Sequence, residues 1–415
     1  MTDVRTPSLA TDRQDERLRE RSGVRGEIDG FLDRIRSGDL GVLPVIAGLA
    51  VIWGVLQALN PVFLSSANLS NLLIESSPVG VLALGIVCVL LVGQIDLSVG
   101  SVSGLSAAIV AVLFVNRGLP VVVAVLAAVL SGTLIGWVYA QGFNRFGVPT
   151  FVITLAGLLG FLGLQLYVLG DAGSINLPFD SWLVAFAQLA FVPAPLAYAL
   201  VGVAVLAFFG SGFALARERR AAGLSAKPLQ LLVWQSILML VVLAAVVAFL
   251  NRTRGVGWMF VFFVALVVLM NYALTRTKWG RSVYAVGGNA EAARRAGINV
   301  DRVYTSVLVL CSTLAALGGV LAAARLASAN QGSGAGDVNL NAIAAAVIGG
   351  TSLFGGRGTA YSALLGIVVI QSISSGLTLL NLSSAFRFMV TGAVLVLAVG
   401  LDSVSRRSRT SHGRG

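Results

Sequence analysis

The sequence predicts an all-α polytopic membrane protein, and three observations lead to this fold class. Hydrophobic residues make up 57% of the 415 residues, charged residues only 11%, and the mean hydropathy is +0.89. A soluble domain is about half apolar and about a quarter charged. The basic residues, which give a net charge of +11, lie in short segments between long apolar runs. This distribution is typical of the cytoplasmic loops of a membrane protein and argues against nucleic-acid binding.

Three regions follow one another along the chain. Residues 1–42 are polar, with nearly balanced arginine and acidic residues and no apolar h-region, so they do not resemble a cleaved secretory signal. We interpret them as a soluble cytoplasmic extension. Residues 43–402 form the membrane domain, and residues 403–415 form a basic cytoplasmic tail.

The membrane domain contains apolar runs of the length needed to cross about 30 Å of hydrocarbon. They lie near 43–60, 79–95, 97–115, 119–140, 150–169, 190–210, 228–250, 256–274, 304–325, 343–355, 359–380 and 386–402. The run at 343–355 is too short for a full crossing, and two other runs meet at a polar break around Asp96. We therefore expect about 10–12 transmembrane helices, with broken or re-entrant segments.

The distribution of basic residues predicts the orientation of the chain. Loops with an excess of arginine and lysine face the cytoplasm. These are the segments around Arg145, 217–227, 276–302 and 406–409. Loops 171–180 and 329–337 carry no basic residue and are predicted on the opposite side. Both termini are then cytoplasmic.

The first polar break, GQIDLSVGSVSG at 93–104, places an aspartate between two apolar runs. An ionised carboxylate at membrane depth is costly, so it normally faces a cavity, a partner or the interface. Asp96 is therefore a functional candidate. The alternative is a turn residue that caps the following helix, because aspartate is a favoured N-cap residue.

The second break, VIGGTSLFGGRGTA at 347–360, has a similar layout. Irregular backbone within a membrane is tolerated only where it is buried in protein or lines water. GTSLFGGR also resembles a phosphate-binding loop, but Arg357 and Gly358 stand where that motif requires lysine and then serine or threonine. The sequence therefore predicts no ATP hydrolysis by this chain.

The stretch from Thr275 to Arg302 is the one substantial polar loop between the main apolar runs. Within it, GGNAEAARRAG predicts a short helix with Asn289 as N-cap, Glu291 in the first turn and Gly297 just beyond the end. An isolated helix of about two turns is unstable in water, so something must pack against it. A partner protein, the chain's own helices and anionic lipid headgroups are the open alternatives.

Catalytic and metal-binding patterns are absent from the sequence. No cluster of histidine and carboxylates has the spacing of a metal site, and no nucleophile stands near a base. Cys88 and Cys311 both lie in apolar runs, which predicts two buried free thiols. We expect no cofactor on this chain and no enzymatic activity.

Four segments carry a resemblance to a known family. GRSVYAVGGNAEAARRAGINVDR resembles the cytoplasmic coupling loop of ABC importer permeases, and GQIDLSVGS, VPTFVITLAG and AAAVIGGTSLFGGRGT are similar to segments of the ribose, xylose and galactose branch of sugar permeases. The basic loop ARERRAAGLSAKP with its two flanking runs resembles the xylose-type subgroup. Gln94 departs from the small or acidic residue that is frequent in the family.

This resemblance implies a type II ABC importer-like permease of the bacterial cytoplasmic membrane that translocates a monosaccharide, xylose or a related pentose. The implied partners are a second copy of the permease, a cytoplasmic ATPase that binds ATP and Mg, and an extracytoplasmic sugar-binding protein. The implied coupling residues are Gly287, Gly288, Asn289, Glu291, Ala292, Ala293, Arg294 and Gly297. The implied translocation-path residues are Asp96, Ser98, Gly350, Thr351 and Ser352.

Two other functions compete with this interpretation. A secondary transporter driven by an ion gradient would need ionisable residues deep in its bundle. The candidates are Asp96, Glu75, Arg325 and Arg387. A membrane scaffold for a cytoplasmic partner would not need two polar breaks in its spans.

Overall fold

The computed structural model describes residues 43–383 and, beyond them, residues 385, 386, 388–393, 396 and 400. The predicted N-terminal extension, the predicted basic tail and Arg387 lie outside the described residues. The described part divides into two compact units, one made of residues 43–191 with 256–400 and the other of residues 192–255.

Apolar helices build nearly all of the larger unit. Its first half contains α1 (Leu43–Leu59), α2 (Ser66–Leu91), α3 (Val99–Ala111), α4 (Val121–Phe146), α5 (Thr150–Leu169), strand β1 (Ser174–Asn176) and α6 (Trp182–Gln188). Its second half contains α9 (Trp258–Arg276), α10 (Lys278–Gly288), α11 (Ala290–Arg295), α12 (Val300–Leu326), strand β2 (Ser328–Asn330), α13 (Val338–Ile348) and α14 (Tyr361–Leu379). A π-helical turn, Val112–Asn116, continues α3.

The smaller unit is a helical hairpin made of α7 (Ala194–Ala221) and α8 (Leu229–Leu250). Pro193 and Pro228 each stand directly before a helix, where the missing N–H costs nothing. In the connecting turn, the guanidinium Nε of Arg219 donates to the carbonyl oxygen of Ser225 at 2.6 Å. The basic insertion and the two runs that flank it therefore form one supersecondary unit.

Nine helices of the described residues are long and apolar enough to cross a membrane. They are α2, α3 with its π-helical turn, α4, α5, α7, α8, α9, α12 and α14. Two further apolar helices are shorter, with 17 residues in α1 and 11 in α13. The predicted polytopic all-α membrane fold is confirmed, and so is the expectation that the run at 343–355 is too short for a crossing. The last predicted run, 386–402, is described only in part.

Helix α12 lies at the centre of the larger unit, where it packs against α2, α3 and α4. Glycines bring the backbones together, because small residues allow close approach between helices in a membrane. A Cβ atom added at Gly136 of α4 would lie 2.6 Å from the carbonyl oxygen of Leu308 in α12. One added at Gly319 of α12 would overlap the carbonyl oxygen of Ser103 in α3. The distances between these helices are consequently determined by backbone contacts as much as by side-chain packing.

Two ends of the larger unit can be told apart by their loops. At one end, called the loop face here, α10 contacts the end of α2 and the second break, and Gly93 of the first break packs on Phe354 and Gly355 of the second. At the other end, called the strand face, β1 pairs antiparallel with β2, with Ile175 opposite Ala329. The two predicted loops without basic residues thus contact each other, which places them at the same end.

The chain between β2 and α13 does not remain at the strand face. It runs back along α3, where Gly334 packs on Gly100 and Gly104, and a Cβ atom at Gly334 would overlap the carbonyl oxygen of Gly100. The amide of Gln165 fixes this segment by donating to the carbonyl oxygens of Asn330 at 3.0 Å and Ser333 at 2.9 Å. The expectation of a simple loop over 329–337 is wrong beyond β2. We call residues 331–337 the re-entrant segment.

Candidate functional site

The predicted short helix of the polar loop is present as α11. The side-chain oxygen of Asn289 accepts a hydrogen bond from the backbone N–H of Ala292 at 2.9 Å, as an N-cap does. Glu291 in the first turn pairs with Arg295 one turn later, with 3.2 Å between Nε and Oε1. Gly297 follows the helix with φ of +83°, which L side chains rarely adopt. The predicted N-cap, charge placement and stop residue are confirmed.

One side of α11 rests on the chain itself. Ala293 is 4% exposed and belongs to the main hydrophobic core, where Ala290 and Ile298 also pack. Glu291, Ala292 and Arg294 are exposed. Ala293 therefore offers little surface to a partner, because its small side chain anchors the helix to its own bundle. This packing also explains how so short a helix persists.

Gly287, at the end of α10, joins the polar loop to the end of α2 and to the second break. A Cβ atom added there would overlap the carbonyl oxygen of Leu91, the last residue of α2, and would lie 2.7 Å from the backbone nitrogen of Gly356. That nitrogen donates to the Leu91 carbonyl oxygen at 2.9 Å. We call Leu91, Gly287 and Gly356 the backbone junction. Gly288 differs, since no described atom lies within 4 Å of a Cβ placed on it.

Tyr284 adds a side-chain contact between α10 and the second break. Its hydroxyl donates to the carbonyl oxygen of Gly358 at 2.8 Å. Gly358 has φ of +144°, so its backbone conformation is one that glycine accepts readily. Burial raises the pKa of Tyr284 above its ordinary value of 10.0, which keeps the hydroxyl protonated as the donor.

Asp96 lies in the first break with its carboxylate buried, at 1% exposure. One carboxylate oxygen, Oδ1, accepts from the backbone N–H of Ser98 at 2.8 Å and from the Ser98 hydroxyl at 2.7 Å. The hydroxyl of Tyr139 donates in turn to Ser98 Oγ at 2.8 Å. The other oxygen of Asp96, Oδ2, has no hydrogen-bond partner among the described residues. Asp96 therefore orders the turn before α3, whose N-cap position is Ser98 rather than Asp96.

The second break is held mainly by backbone contacts. Gly350 is exposed and has φ of +101°, whereas Thr351 is 2% exposed. The backbone N–H of Ser352 donates to the carbonyl oxygen of Arg357 at 3.0 Å, which closes the turn. A Cβ atom at Gly358 would lie 2.8 Å from Cγ2 of Thr351. Of the predicted path residues, Asp96, Ser98 and Thr351 are thus enclosed by protein, and Gly350 and Ser352 reach the surface.

The two predicted thiols and the re-entrant segment complete the interior near the breaks. Cys88 and Cys311 are free and fully buried, as predicted. Asn339, at the start of α13, donates from Nδ2 to the carbonyl oxygen of Leu97 in the first break at 2.8 Å. Sequence reasoning missed this connection. A glycine-rich polar stretch carries no local signal that distinguishes a re-entrant segment from a surface loop.

Comparison with known proteins identifies the chain's family. Residues 68–399 match the family model described as "Branched-chain amino acid transport system / permease component". The chain belongs to this permease family. The permease is 32% identical to the xylose transport system permease protein XylH of Escherichia coli K12, over 91% of this chain and 95% of the relative. No solved structure matches it.

Two further relatives extend this similarity. The permease is 31% identical to the XylH protein of Haemophilus influenzae, over 90% of this chain and 99% of the relative. It is 32% identical to the ribose import permease protein RbsC of Escherichia coli K12, over 86% of this chain and 92% of the relative. The matched regions include the polar loop and both breaks, because they extend over most of the membrane domain.

Proposed function

We propose that the chain is the permease subunit of an ATP-driven ABC importer that translocates a monosaccharide, with xylose or a related pentose as the sugar. The similarity to xylose permeases over nine-tenths of the chain carries this proposal. The insertion at 192–255 supports the xylose-type subgroup, because it forms a complete helical hairpin rather than a longer loop. The gradient-driven alternative is not favoured by these relatives.

The proposed coupling element is α11 with the residues around it. Glu291, Ala292 and Arg294 offer an exposed charged surface, and Ala293 fixes that surface to the bundle. A cytoplasmic ATPase, which would bind ATP and Mg, docks there. Its movement would pass through Gly287 and Gly288 to the end of α2, just before the first break, and to the second break, since α10 contacts both of these places.

The proposed inner end of the translocation path lies at the breaks. Asp96, Ser98, Gly350, Thr351 and Ser352 stand there, and irregular backbone at membrane depth must be buried or face water. The permease would pair with a second copy and receive sugar from an extracytoplasmic binding protein. The loop face would then be cytoplasmic, together with both termini, in a bacterial cytoplasmic membrane.

Uptake into proteoliposomes tests the function. The permease and its ATPase are reconstituted with ATP inside and labelled xylose with the sugar-binding protein outside. We expect ATP-dependent uptake that excess unlabelled ribose does not compete away. Uptake driven by an ion gradient without ATP would overturn the ABC assignment, and ATP-dependent uptake of another sugar would correct only the substrate.

Charge reversal tests the docking surface. Glu291→Arg is expected to weaken co-purification of the ATPase, because it inverts an exposed charge at the start of α11. Asp171→Arg is the matched control, since Asp171 is exposed at the strand face. Unchanged co-purification of the Glu291 variant would count against the docking role.

A further inference from the structure

A charged cluster lies between apolar helices on the strand-face side of the permease. Glu75 of α2 forms an ion pair with Arg325 of α12, with 2.5 Å between Oε1 and Nη2. The amide of Gln371 in α14 donates from Nε2 to Oε2 of Glu75 at 2.6 Å. We call Glu75, Arg325 and Gln371 the triad. It connects three membrane-spanning helices.

Glu75 and Gln371 lie inside the bundle, whereas Arg325 stands in the last turn of α12, next to the strand face. Leu91, the last residue of α2, belongs to the backbone junction at the loop face, so α2 begins at the strand face. Glu75 is the tenth residue of α2, which at about 1.5 Å per residue places it roughly 14 Å from the first one. Gln371 is likewise remote from both ends of α14, which starts next to the second break.

The triad is partly open to its surroundings. The side chain of Glu75 is 34% exposed and that of Arg325 is 29% exposed. Charged side chains within spans face a bundle interior or a water-filled cavity, because exposure to hydrocarbon costs several kcal/mol per charge. An ion pair that served only to join helices would be expected to be enclosed by them. Partial exposure of a pair next to the strand face fits a water-filled opening at that end of the bundle.

The helix faces beside the triad are polar as well. On α2, Asn68 and Asn71 precede Glu75 at helical spacing, and Asn71 is exposed. On α14, Ser374 and Ser375 follow Gln371 by three and four positions, and the Ser375 hydroxyl donates to Asn68 Oδ1 at 3.1 Å. Such faces are unusual on helices that are apolar enough to cross a membrane. They fit a wall of an aqueous opening.

We propose that the triad and the polar faces of α2 and α14 form a contact site for the hydroxyl groups of a monosaccharide, in the strand-face half of the translocation path. The sugar assignment rests on the proposed function. Glu75 and Arg325 neutralise each other, so the site favours a neutral ligand over an ion. Carboxylate, guanidinium and amide groups supply the acceptors and donors that a polyol needs when it leaves water.

Accessibility of introduced cysteines tests the opening without reference to any sugar. Asn71→Cys is compared with Leu126→Cys, since each is the sixth residue of a helix that begins at the strand face, and Leu126 is 56% exposed on an apolar face. The native Cys88 and Cys311 are fully buried and give the background. Ser374→Cys is a second probe beside the triad.

A membrane-impermeant, charged methanethiosulfonate is applied to the assembled complex in proteoliposomes. We expect the thiols of the Asn71→Cys and Ser374→Cys variants to react at least about tenfold faster than that of the Leu126→Cys variant, because the reagent attacks a thiolate that forms only in water. The sugar with its loaded binding protein should slow both of the faster reactions. Equal rates in all three variants would overturn the proposed opening.

Selectivity of uptake tests the sugar contact. Glu75→Gln keeps the size of the side chain but removes the charge, and is expected to change the ratio of xylose uptake to uptake of a deoxy analogue by about tenfold. Ser372→Ala is the control, because Ser372 accepts from Trp53 Nε1 at 2.8 Å on another side of α14. Loss of this hydrogen bond should lower the uptake of xylose and the uptake of the deoxy analogue by the same factor.

The labelling and uptake experiments distinguish failure of the sugar contact site from failure of the proposed function. An unchanged ratio in Glu75→Gln would reduce the triad to a structural clamp and overturn the contact site. Competition by leucine and not by sugars would assign the site to a zwitterion and also overturn it. A wild-type complex that imports no monosaccharide would overturn the proposed function and the sugar assignment together, while the labelling rates would still decide whether the triad faces water.

Discussion

The backbone nitrogen of Gly356 donates a 2.9 Å hydrogen bond to the carbonyl oxygen of Leu91, 265 positions earlier in the chain. This bond joins the second break to the end of α2, and Gly287 of the polar loop packs directly on it. Three segments that the sequence separates widely therefore meet through main-chain atoms.

Gly287→Ala is expected to disturb the backbone junction. Its Cβ atom would overlap the Leu91 carbonyl oxygen, and overpacking of this kind costs about 1–3 kcal/mol. We expect a lower melting temperature and reduced uptake. Gly288→Ala is the matched control, because no described atom lies within 4 Å of its Cβ position. Equal melting temperatures and uptake for the two variants would contradict the role of the junction.

Tyr284→Phe removes the hydrogen bond to the Gly358 carbonyl oxygen and leaves the aromatic ring in place. One such bond contributes about 1 kcal/mol, so a modest fall in the melting temperature of the purified permease is expected. Tyr272→Phe serves for comparison, since Tyr272 is 61% exposed on α9. A fall of the same size in both variants would show that the Tyr284 bond contributes nothing particular.

Gly297→Val is expected to misplace the end of α11 without affecting the rest of the fold. At φ of +83° a β-branched residue is strained by about 1–2 kcal/mol, whereas no described atom would clash with its Cβ. Gly297→Asn should be better tolerated, because asparagine visits left-handed conformations. The ratio of sugar uptake to ATP hydrolysis measures the coupling. Full uptake by the valine variant would refute a coupling role for this turn.

Asp96→Asn distinguishes a charge requirement from a structural role. The amide oxygen can replace Oδ1 as acceptor from Ser98, so the turn before α3 should survive and uptake should stay near the wild-type rate. Asp96→Ala leaves the buried N–H of Ser98 without this acceptor and should cost about 1–3 kcal/mol of stability. Loss of uptake in the asparagine variant at normal abundance would instead reveal a need for the charge.

Local sequence signals predicted α11 residue by residue. Its signals act within one or two helical turns, so no distant contact was needed to recognise them. They are the N-cap of Asn289, the charge of Glu291 and the backbone flexibility of Gly297. The sequence does not distinguish two environments for Ala293, because a small apolar residue suits a partner's groove and the chain's own bundle equally well. In the structure Ala293 is buried against the chain's own helices, with α12 among them.

Other features depend on tertiary contacts that no sequence window contains. The backbone junction requires positions 91, 287 and 356 to meet, and nothing local to Gly287 distinguishes it from Gly288. The break at Asp96 was predicted from its polarity, but which of its oxygens is engaged follows from the position of Ser98. The re-entrant segment was predicted as a loop because the amino-acid composition of a segment does not show how deep in the bundle that segment lies.

The re-entrant segment also has a consequence for assembly during synthesis. Its partners, Gly104 in α3 and Gln165 in α5, precede it in the chain, so they leave the ribosome first. Irregular backbone cannot enter hydrocarbon alone, since its polar groups would be unsatisfied there. The segment can therefore be inserted only into a receiving surface that α3 and α5 have already built, which makes its entry a late step in the biogenesis of the permease.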